Sequence, residues 1–214
     1  MRFLTVASLF VLSVFGAHPG VIADAATLVI PGADSAKLSQ SKNAACTRSQ
    51  PGAFTMIRPS TVKTTVVEMA ATGQTGIMIE GWGISVDAVV SDFTGGAAEQ
   101  LVLQGSKDAD IVLVEGQGSI NHPGYSGVTL SLLHGSCPDA LILCHQASRV
   151  HVGDYRPGAW VKIPPLTDYI RWYEDIGSAV HPTKVIGISL NTYDLDDAAA
   201  KAAIAKAARE TGLP

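Results

Sequence analysis

An acidic residue followed by a glycine-rich segment is the first pattern in this sequence that indicates chemistry. The segment EGQGS at 115–119 directly follows an apolar run at 111–114 that is typical of a buried strand. Glycines there let backbone N–H groups approach an anionic ligand, and the Glu115 carboxylate can hold a magnesium ion. The same residues also suit a tight turn with a solvated Glu115. We favour a ligand site, because further polar side chains follow.

The loop that comes next, at 121–126, concentrates side chains that are capable of catalysis. It contains His122, Tyr125 and Ser126. His122 can act as a general base or bind an anion. Ser126 also suits the cap of the helix predicted after it, which requires no catalytic role.

Polar residues end the other apolar runs of the chain as well. Glu80, His145 and Asn191 each stand at the end of a run that is typical of a strand. In a parallel sheet these ends meet at one edge, where ligands bind. Cys144 and His145 are adjacent, so in a strand they point to opposite faces and cannot form a Cys–His catalytic pair.

Four apolar runs alternate with helical patterns along the chain. They predict strands near 76–80, 110–115, 140–145 and 185–190. This alternation indicates an α/β fold, with a mostly parallel sheet covered by helices on both faces. Gly95–Gly96 is expected to break or bend the helix that is predicted after the first strand.

Composition narrows the class of protein. The 214 residues suit one ordinary domain, and 15 basic against 19 acidic residues give a net charge of -4. Without a basic excess, a nucleic-acid partner is not expected. The three cysteines lack the paired spacings of a zinc site, and we assign no metal ligands.

The amino-terminal third differs from the rest. Residues 1–26 combine Arg2, an apolar run and an A-x-A site ending at Ala25, as in a secretory signal peptide. A buried first element or a misassigned start would also explain this pattern. The run is shorter than the roughly 20 residues of a bilayer span, so no stable membrane span is expected. Residues 27–70 are predicted to be irregular and poorly ordered, and 71–214 to form the α/β domain.

Several motifs in the α/β region occur together and in order, and with them the chain closely resembles the DUF1611 family. The motifs are ATGQTGIMIEGWG at 71–83, VDAVVSDF at 86–93, LVEGQGS at 113–119, HPGYSGV at 122–128, PDAL at 138–141, LCH at 143–145 and LNT at 190–192.

The resemblance implies a fold, an activity and a set of site residues. Family members look like two-domain proteins whose second domain is P-loop NTPase-like, with three layers, and similar to dethiobiotin synthetase. Some members are D-glutamate (D-amino-acid) N-acetyltransferases, which implies a small-molecule substrate and acetyl-CoA. The catalytic candidates are Glu115, His122 and Tyr125, one of which would take a proton from the amine. The candidates for binding the cofactor are Gln74, Thr75, Gly116, Gln117, Gly118, Ser119, His145 and Asn191.

The sequence departs from the family pattern in ways that bear on activity. No G-x-x-x-x-G-K-[ST] motif occurs in it, and the nearest segment, VKTT at 62–65, lacks both glycines. The chain has no room for the amino-terminal domain, and the family pattern continues beyond its last residue. We therefore expect a partial member covering about 71–214.

Three functional hypotheses remain open. The first is an N-acetyltransferase, present only in inactive form if the chain is truncated. The second is a nucleotide- or CoA-binding module without turnover, and the third is a non-functional fragment. A Mg-nucleotide stays open as a ligand despite the missing phosphate loop, as does a homo-oligomer. Because acetyl-CoA and ATP are cytoplasmic, and the family match is longer than the signal-like run, we expect the cytoplasm, with export as the alternative.

Overall fold

Most of the chain from residue 65 onward is described by a computed structural model, together with two short segments before it. The described residues are 46–50, 53–56, 65–107, 109, 111–152 and 160–214. The signal-like segment at 1–26 and residues 62–64 of the VKTT segment lie outside them.

The first sheet contains four strands in the order β1-β2-β3-β4. They are β1 (Cys46–Gln50), β2 (Ala53–Met56), β3 (Thr65–Ala70) and β4 (Ile111–Val114). β1, β2 and β3 pair antiparallel, whereas β3 and β4 pair parallel. Although 27–70 was predicted to be irregular, its described residues form three strands.

The second sheet contains two parallel strands, β5 (Ala140–Gln146) and β6 (Lys184–Asn191). β4, β5 and β6 confirm three of the predicted strands. Each contains an apolar run, and buried residues alternate with half-buried ones in β4 and in part of β5 and β6. Within the described residues the strands form two sheets, where the sequence had indicated one.

In the described residues, five α-helices follow or separate the strands. They are α1 (Gln74–Glu80), α2 (Ser91–Gly105), α3 (Ser126–Ser136), α4 (Leu166–Ser178) and α5 (Asp197–Thr211), with a 3-10 turn at Val86–Ala88. The Asp196 carboxylate caps α5 by accepting from the Ala199 N–H, and Gly212 ends this helix in the left-handed conformation. None of the helices in the described residues combines the length and apolar character that a bilayer span needs.

The first predicted strand, at 76–80, is wrong, because these residues form α1. The helix ends at Gly81, which has a φ of 83° and donates its N–H to the Ile77 carbonyl. Met78 and Ile79 are 86% and 62% exposed, so the apolar run is not a buried strand. An apolar run this short does not by itself distinguish a strand from a helix. Glu80 consequently lies at a helix end, 7% exposed, and not at the sheet edge.

Two hydrophobic cores lie beside the two sheets, and α3 contributes to both. Leu132 packs with β3, β4 and α2 residues, whereas the adjacent Leu133 packs with Leu141 of β5 and Val185 of β6. Burying a leucine of this kind contributes roughly 1.5–3 kcal/mol. α3 therefore fixes the first sheet relative to the second core.

The expected break at Gly95–Gly96 is also wrong, because α2 runs continuously through both glycines. Gly135 of α3 lies directly against Gly95, and a Cβ atom added to Gly135 would overlap the Gly95 backbone. The glycines thus allow two helices to approach closely.

We predict that Gly135→Ala lowers the free energy of unfolding by about 1–3 kcal/mol, because the added methyl group forces α2 and α3 apart. Gly96→Ala is the matched control, since nothing lies within 4 Å of the position its Cβ would take. The control should be neutral or stabilising by up to about 1 kcal/mol. Urea unfolding followed by circular dichroism measures both, and equal effects would contradict the contact.

Candidate functional site

The Glu115 carboxylate connects the ends of two parallel strands. Its Oε2 atom accepts hydrogen bonds from the backbone N–H groups of Thr72, at 2.9 Å, and Gly73, at 3.1 Å. The Thr72 hydroxyl donates in return to the Glu115 carbonyl oxygen, at 2.8 Å. Because β3 ends at Ala70 and β4 at Val114, these bonds join both strand ends and the start of α1.

Gln117 packs against the same segment. Its Nε2 atom donates to the Thr72 hydroxyl oxygen at 3.0 Å. A Cβ atom on Gly73 would lie 2.5 Å from that Nε2 atom, and one on Gly76 would overlap the Glu115 carboxylate. A side chain at 73 or 76 would therefore displace the end of the Gln117 or the Glu115 side chain from its present position. The EGQGS segment forms a packed junction in which Glu115 and Gln117 bond to the chain itself.

The glycine-rich turn continues into the first turn of α3. Gly118 has a φ of 59°, in the left-handed region, and a Cβ there would lie 2.6 Å from the Tyr125 Cβ. Thr129 Oγ1 lies 2.5 Å from the Gln117 carbonyl oxygen and 3.1 Å from that of Tyr125, and donates to either. Close packing against Tyr125 thus accounts for the glycine at 118.

Two buried tyrosines of α4 hold the loop that follows. Asn121 Oδ1 accepts from the Ser119 hydroxyl at 3.0 Å and the Tyr169 hydroxyl at 2.8 Å. The Ile120 N–H donates to the Tyr173 hydroxyl oxygen at 3.2 Å. Burial raises the pKa of Tyr169 to about 12, so its hydroxyl remains a donor at neutral pH. Ser119 is fully buried, which leaves its hydroxyl out of a ligand's reach.

The half-buried His122 and the exposed Tyr125 lie side by side in the rest of this loop. Their rings contact each other, with centroids 4.8 Å apart. The His122 Nδ1 atom accepts from the N–H groups of Gly124 and Tyr125. Burial lowers the pKa of His122, which favours the neutral ring. Tyr125 is 48% exposed.

His145 and Asn191 lie at the carboxyl end of the second sheet. The register pairs His145 with Leu190, and Asn191 with Gln146. Burial, aided by the Arg149 charge, lowers the pKa of His145 to about 4. The Asn191 Oδ1 atom accepts from the Tyr193 N–H at 3.1 Å. This oxygen therefore stabilises the turn that follows β6.

A polar cluster joins the loops after β5 and β6. Arg149 Nε donates to Gln146 Oε1 at 3.0 Å, and Gln146 Nε2 donates to Asp194 Oδ2 at 3.3 Å. The Ser148 hydroxyl also donates to Asp194, and this bond is the main reason that the pKa of Asp194 is lowered. These side chains bind the two loops together at the end of the second sheet.

The predicted site residues thus fall into two groups, one at the end of each sheet. The loop from Glu115 to Tyr125 belongs to the first sheet, whereas His145 and Asn191 belong to the second. Asn121 links them, because its partner Tyr169 lies in the core that covers β5 and β6. The remaining candidates, Gln74 and Thr75, are exposed in the first turn of α1.

Sequence reasoning missed the partners that hold the site together. Thr72, Asn121, Tyr169 and Tyr173 were not selected. Tyr169 and Tyr173 recur at the helical spacing of a core face, and no pattern marks their hydroxyl groups as partners of a distant loop.

The chemistry available at the first group is hydrogen bonding by neutral donors. His122 and Tyr125 present ring N–H and hydroxyl groups, both suited to oxygen atoms of a ligand. Within the part of the chain that the structure describes, no three His, Cys, Asp or Glu side chains are grouped to hold a metal ion.

Across the part of the chain that the structure describes, parallel strands, five helices and a polar loop at the end of β4 define an α/β domain. The family model described as a domain of unknown function (DUF1611_C) P-loop domain matches residues 53–214. The chain belongs to the DUF1611 family. This match confirms the resemblance and the P-loop-like α/β fold.

This chain matches part of the length of one solved relative and of two curated relatives. A DUF1611 family protein from Anabaena variabilis, of known crystal structure, is 49% identical, with a TM-score of 0.64 over 69% of this chain and 43% of that chain. A protein from Pseudoalteromonas sp, named D-glutamate N-acetyltransferase, is 42% identical over 59% of this chain and 37% of its own length. One of the same name from Tritonibacter scottomollicae is 40% identical over 67% of this chain and 42% of its own. The chain spans about two-fifths of the curated relatives it matches.

We predict that Glu115→Ala lowers the free energy of unfolding by about 1.5–3 kcal/mol, because two backbone N–H groups lose a charged acceptor. Glu115→Gln keeps an oxygen in the same place and should lose clearly less. Denaturant unfolding of the two variants tests the junction, and wild-type stability in Glu115→Ala would exclude it.

We also predict that His145 makes the fold less stable in mild acid. Its pKa is about 4 in the folded protein and 6.5 for the ordinary group, so below about pH 6.5 the unfolded chain takes up the proton first. Stability should therefore fall as the pH drops from 6.5 towards 4, by up to about 3 kcal/mol. His145→Gln should reduce this slope in urea unfolding across that range, leaving the share of other groups such as His122. An unchanged slope would show that His145 is not held neutral.

Proposed function

We propose that this chain takes part in the N-acetylation of a D-amino acid, with D-glutamate as the first candidate and acetyl-CoA as the acyl donor. The observation that carries this proposal is its 42% and 40% identity to two proteins named D-glutamate N-acetyltransferase. Since the chain spans about two-fifths of those proteins, the activity, the substrate and the acyl donor are all parts of the proposal.

Acetyl transfer makes defined demands on a protein site. The amine nitrogen bonds to the carbonyl carbon, the carbon–sulfur bond breaks, and the proton lost by the amine ends on the CoA sulfur. A protein assists by donating hydrogen bonds where negative charge develops and by removing the proton. His122 and Tyr125 supply the donors. Glu115 is the candidate base through Oε1, since Oε2 is the oxygen that accepts from Thr72 and Gly73.

The residues present fit a CoA ligand. Its phosphate and thioester groups offer acceptor oxygens, which match the neutral donors of His122 and Tyr125. Gln74 and Thr75 add exposed polar side chains near Glu115, because the neighbouring Gly76 packs against that carboxylate. A Mg-nucleotide is the weaker candidate, because the sequence lacks G-x-x-x-x-G-K-[ST].

A second candidate function is a CoA- or nucleotide-binding module without turnover. The bonds of Glu115 to Thr72 and Gly73 favour it, because a carboxylate that holds the fold together is restrained as a base. For either function we propose the cytoplasm as the location, because CoA and nucleotides are found there. Sequencing the mature amino terminus tests this placement, and a new terminus after Ala25 would contradict it.

We predict that the 214-residue chain binds acetyl-CoA and releases free thiol only when D-glutamate is also present. Titration calorimetry with acetyl-CoA and with Mg-ATP measures binding, and a thiol assay measures turnover. L-Glutamate is the control substrate and should react at least about tenfold more slowly, since the two enantiomers cannot make the same contacts. Binding without thiol release would favour the module, and neither binding nor release would contradict both functions.

A further inference from the structure

The hydrogen bonds of His122 determine which of its ring nitrogens carries the proton. Nδ1 lies 3.0 Å from the Gly124 nitrogen and 3.1 Å from the Tyr125 nitrogen, and both backbone groups donate to it. A backbone N–H can only donate, so Nδ1 must present its lone pair. In the neutral ring the proton consequently resides on Nε2.

The surrounding turn fixes the ring in this orientation. The His122 N–H donates to the Ser119 carbonyl at 2.9 Å, and the His122 carbonyl accepts from the Ser126 N–H at 3.0 Å. The Tyr125 ring packs against the imidazole at a centroid distance of 4.8 Å. Turning the ring over would remove the acceptor of the Gly124 N–H. It would also remove one of the two acceptors of the Tyr125 N–H, which lies 3.3 Å from the His122 carbonyl oxygen as well.

We propose that His122 offers the ligand a fixed Nε2–H donor for an acceptor oxygen, and that it does not act as a general base. A general base needs a lone pair on the nitrogen that faces the substrate. Here that lone pair is on Nδ1 and is taken up by the turn. Of the two roles that the sequence left open for His122, the geometry supports binding of an oxygen atom.

The acceptor oxygen has two candidate sources. In the proposed acetyl transfer, on which this step rests, it is either the thioester carbonyl oxygen or a carboxylate oxygen of the D-amino acid. A donor to the carbonyl acts where negative charge develops and changes kcat. A donor to the carboxylate acts equally before and during the reaction and changes KM for the amino acid.

The tautomer can be tested without any activity. Long-range 1H–15N correlation spectra of histidine-labelled protein near pH 7 distinguish a protonated Nε2 from a protonated Nδ1. His122→Asn identifies the resonance, and His151→Asn, which removes an exposed ring, controls for the labelling. We expect protonated Nε2 and bare Nδ1. A ring protonated on Nδ1, or on both nitrogens, overturns the proposal.

Ligand addition to the same sample tests the contact. We expect acetyl-CoA or D-glutamate to shift the His122 Nε2 resonance, whereas no shift with either compound overturns the assignment. This result is separate from the proposed function, because a contact to one ligand stands even if no acetyl group is transferred.

Two substitutions separate the donor from the base kinetically. His122→Gln places an amide N–H near the Nε2 position and should retain activity within about tenfold, whereas His122→Asn keeps the Nδ1-like acceptor alone and should lose about 10²–10³-fold. A fall in kcat identifies the thioester carbonyl, and a rise in KM for D-glutamate identifies the carboxylate. Equal loss in both variants, without rescue by glutamine, is the result for a general base and would overturn the proposal.

Discussion

The structure depends on the hydrogen bonds between the Glu115 carboxylate and two backbone N–H groups. Glu115 accepts from Thr72 and Gly73, and Thr72 donates back to the Glu115 carbonyl, so the ends of β3 and β4 and the start of α1 form one hydrogen-bonded unit. A buried N–H without an acceptor costs about 1–3 kcal/mol, a large fraction of a domain's stability of roughly 5–15 kcal/mol. The loop after β4 therefore leaves the first sheet at a position that this interaction sets.

From that position the loop is held a second time, by the other half of the molecule. Asn121 and Ile120 bond to the hydroxyl groups of Tyr169 and Tyr173, which lie in the core beside β5 and β6. In the described residues, no strand of the first sheet pairs with a strand of the second. The tyrosine hydrogen bonds and the packing of α3 connect the two sheets. The segment that leads to His122 is thus restrained at Glu115 and again at Ile120 and Asn121, which is the condition for a preorganised donor.

The sequence predicted well where one physical effect dominates. β4, β5 and β6 each contain an apolar run whose residues are buried or half-buried, and this burial favours a strand. It failed at 76–80, where Gly81 and the Glu115 bonds stabilise a short helix that exposes Met78. The Glu115 contacts could not be foreseen, because they join residues 42 and 43 positions apart in the chain. The pattern of EGQGS marks that segment as a candidate site, but nothing in the sequence marks Thr72 as its distant partner.

The Glu115 carboxylate stabilises the fold, whereas His122 and Tyr125 are the side chains that this loop offers to the proposed ligand. The Glu115 carboxylate is directed at backbone amides, and burial favours the neutral His122 ring, so the groups that the proposed site offers at this loop are hydrogen-bond donors. A site of this kind recognises oxygen atoms by position more than by charge. Neutral hydrogen bonds are also weakened less by salt than ion pairs at a protein surface. The sequence has a net charge of -4 and lacks G-x-x-x-x-G-K-[ST], so the proposed selectivity for an anionic ligand rests on the geometry of the turn that holds His122.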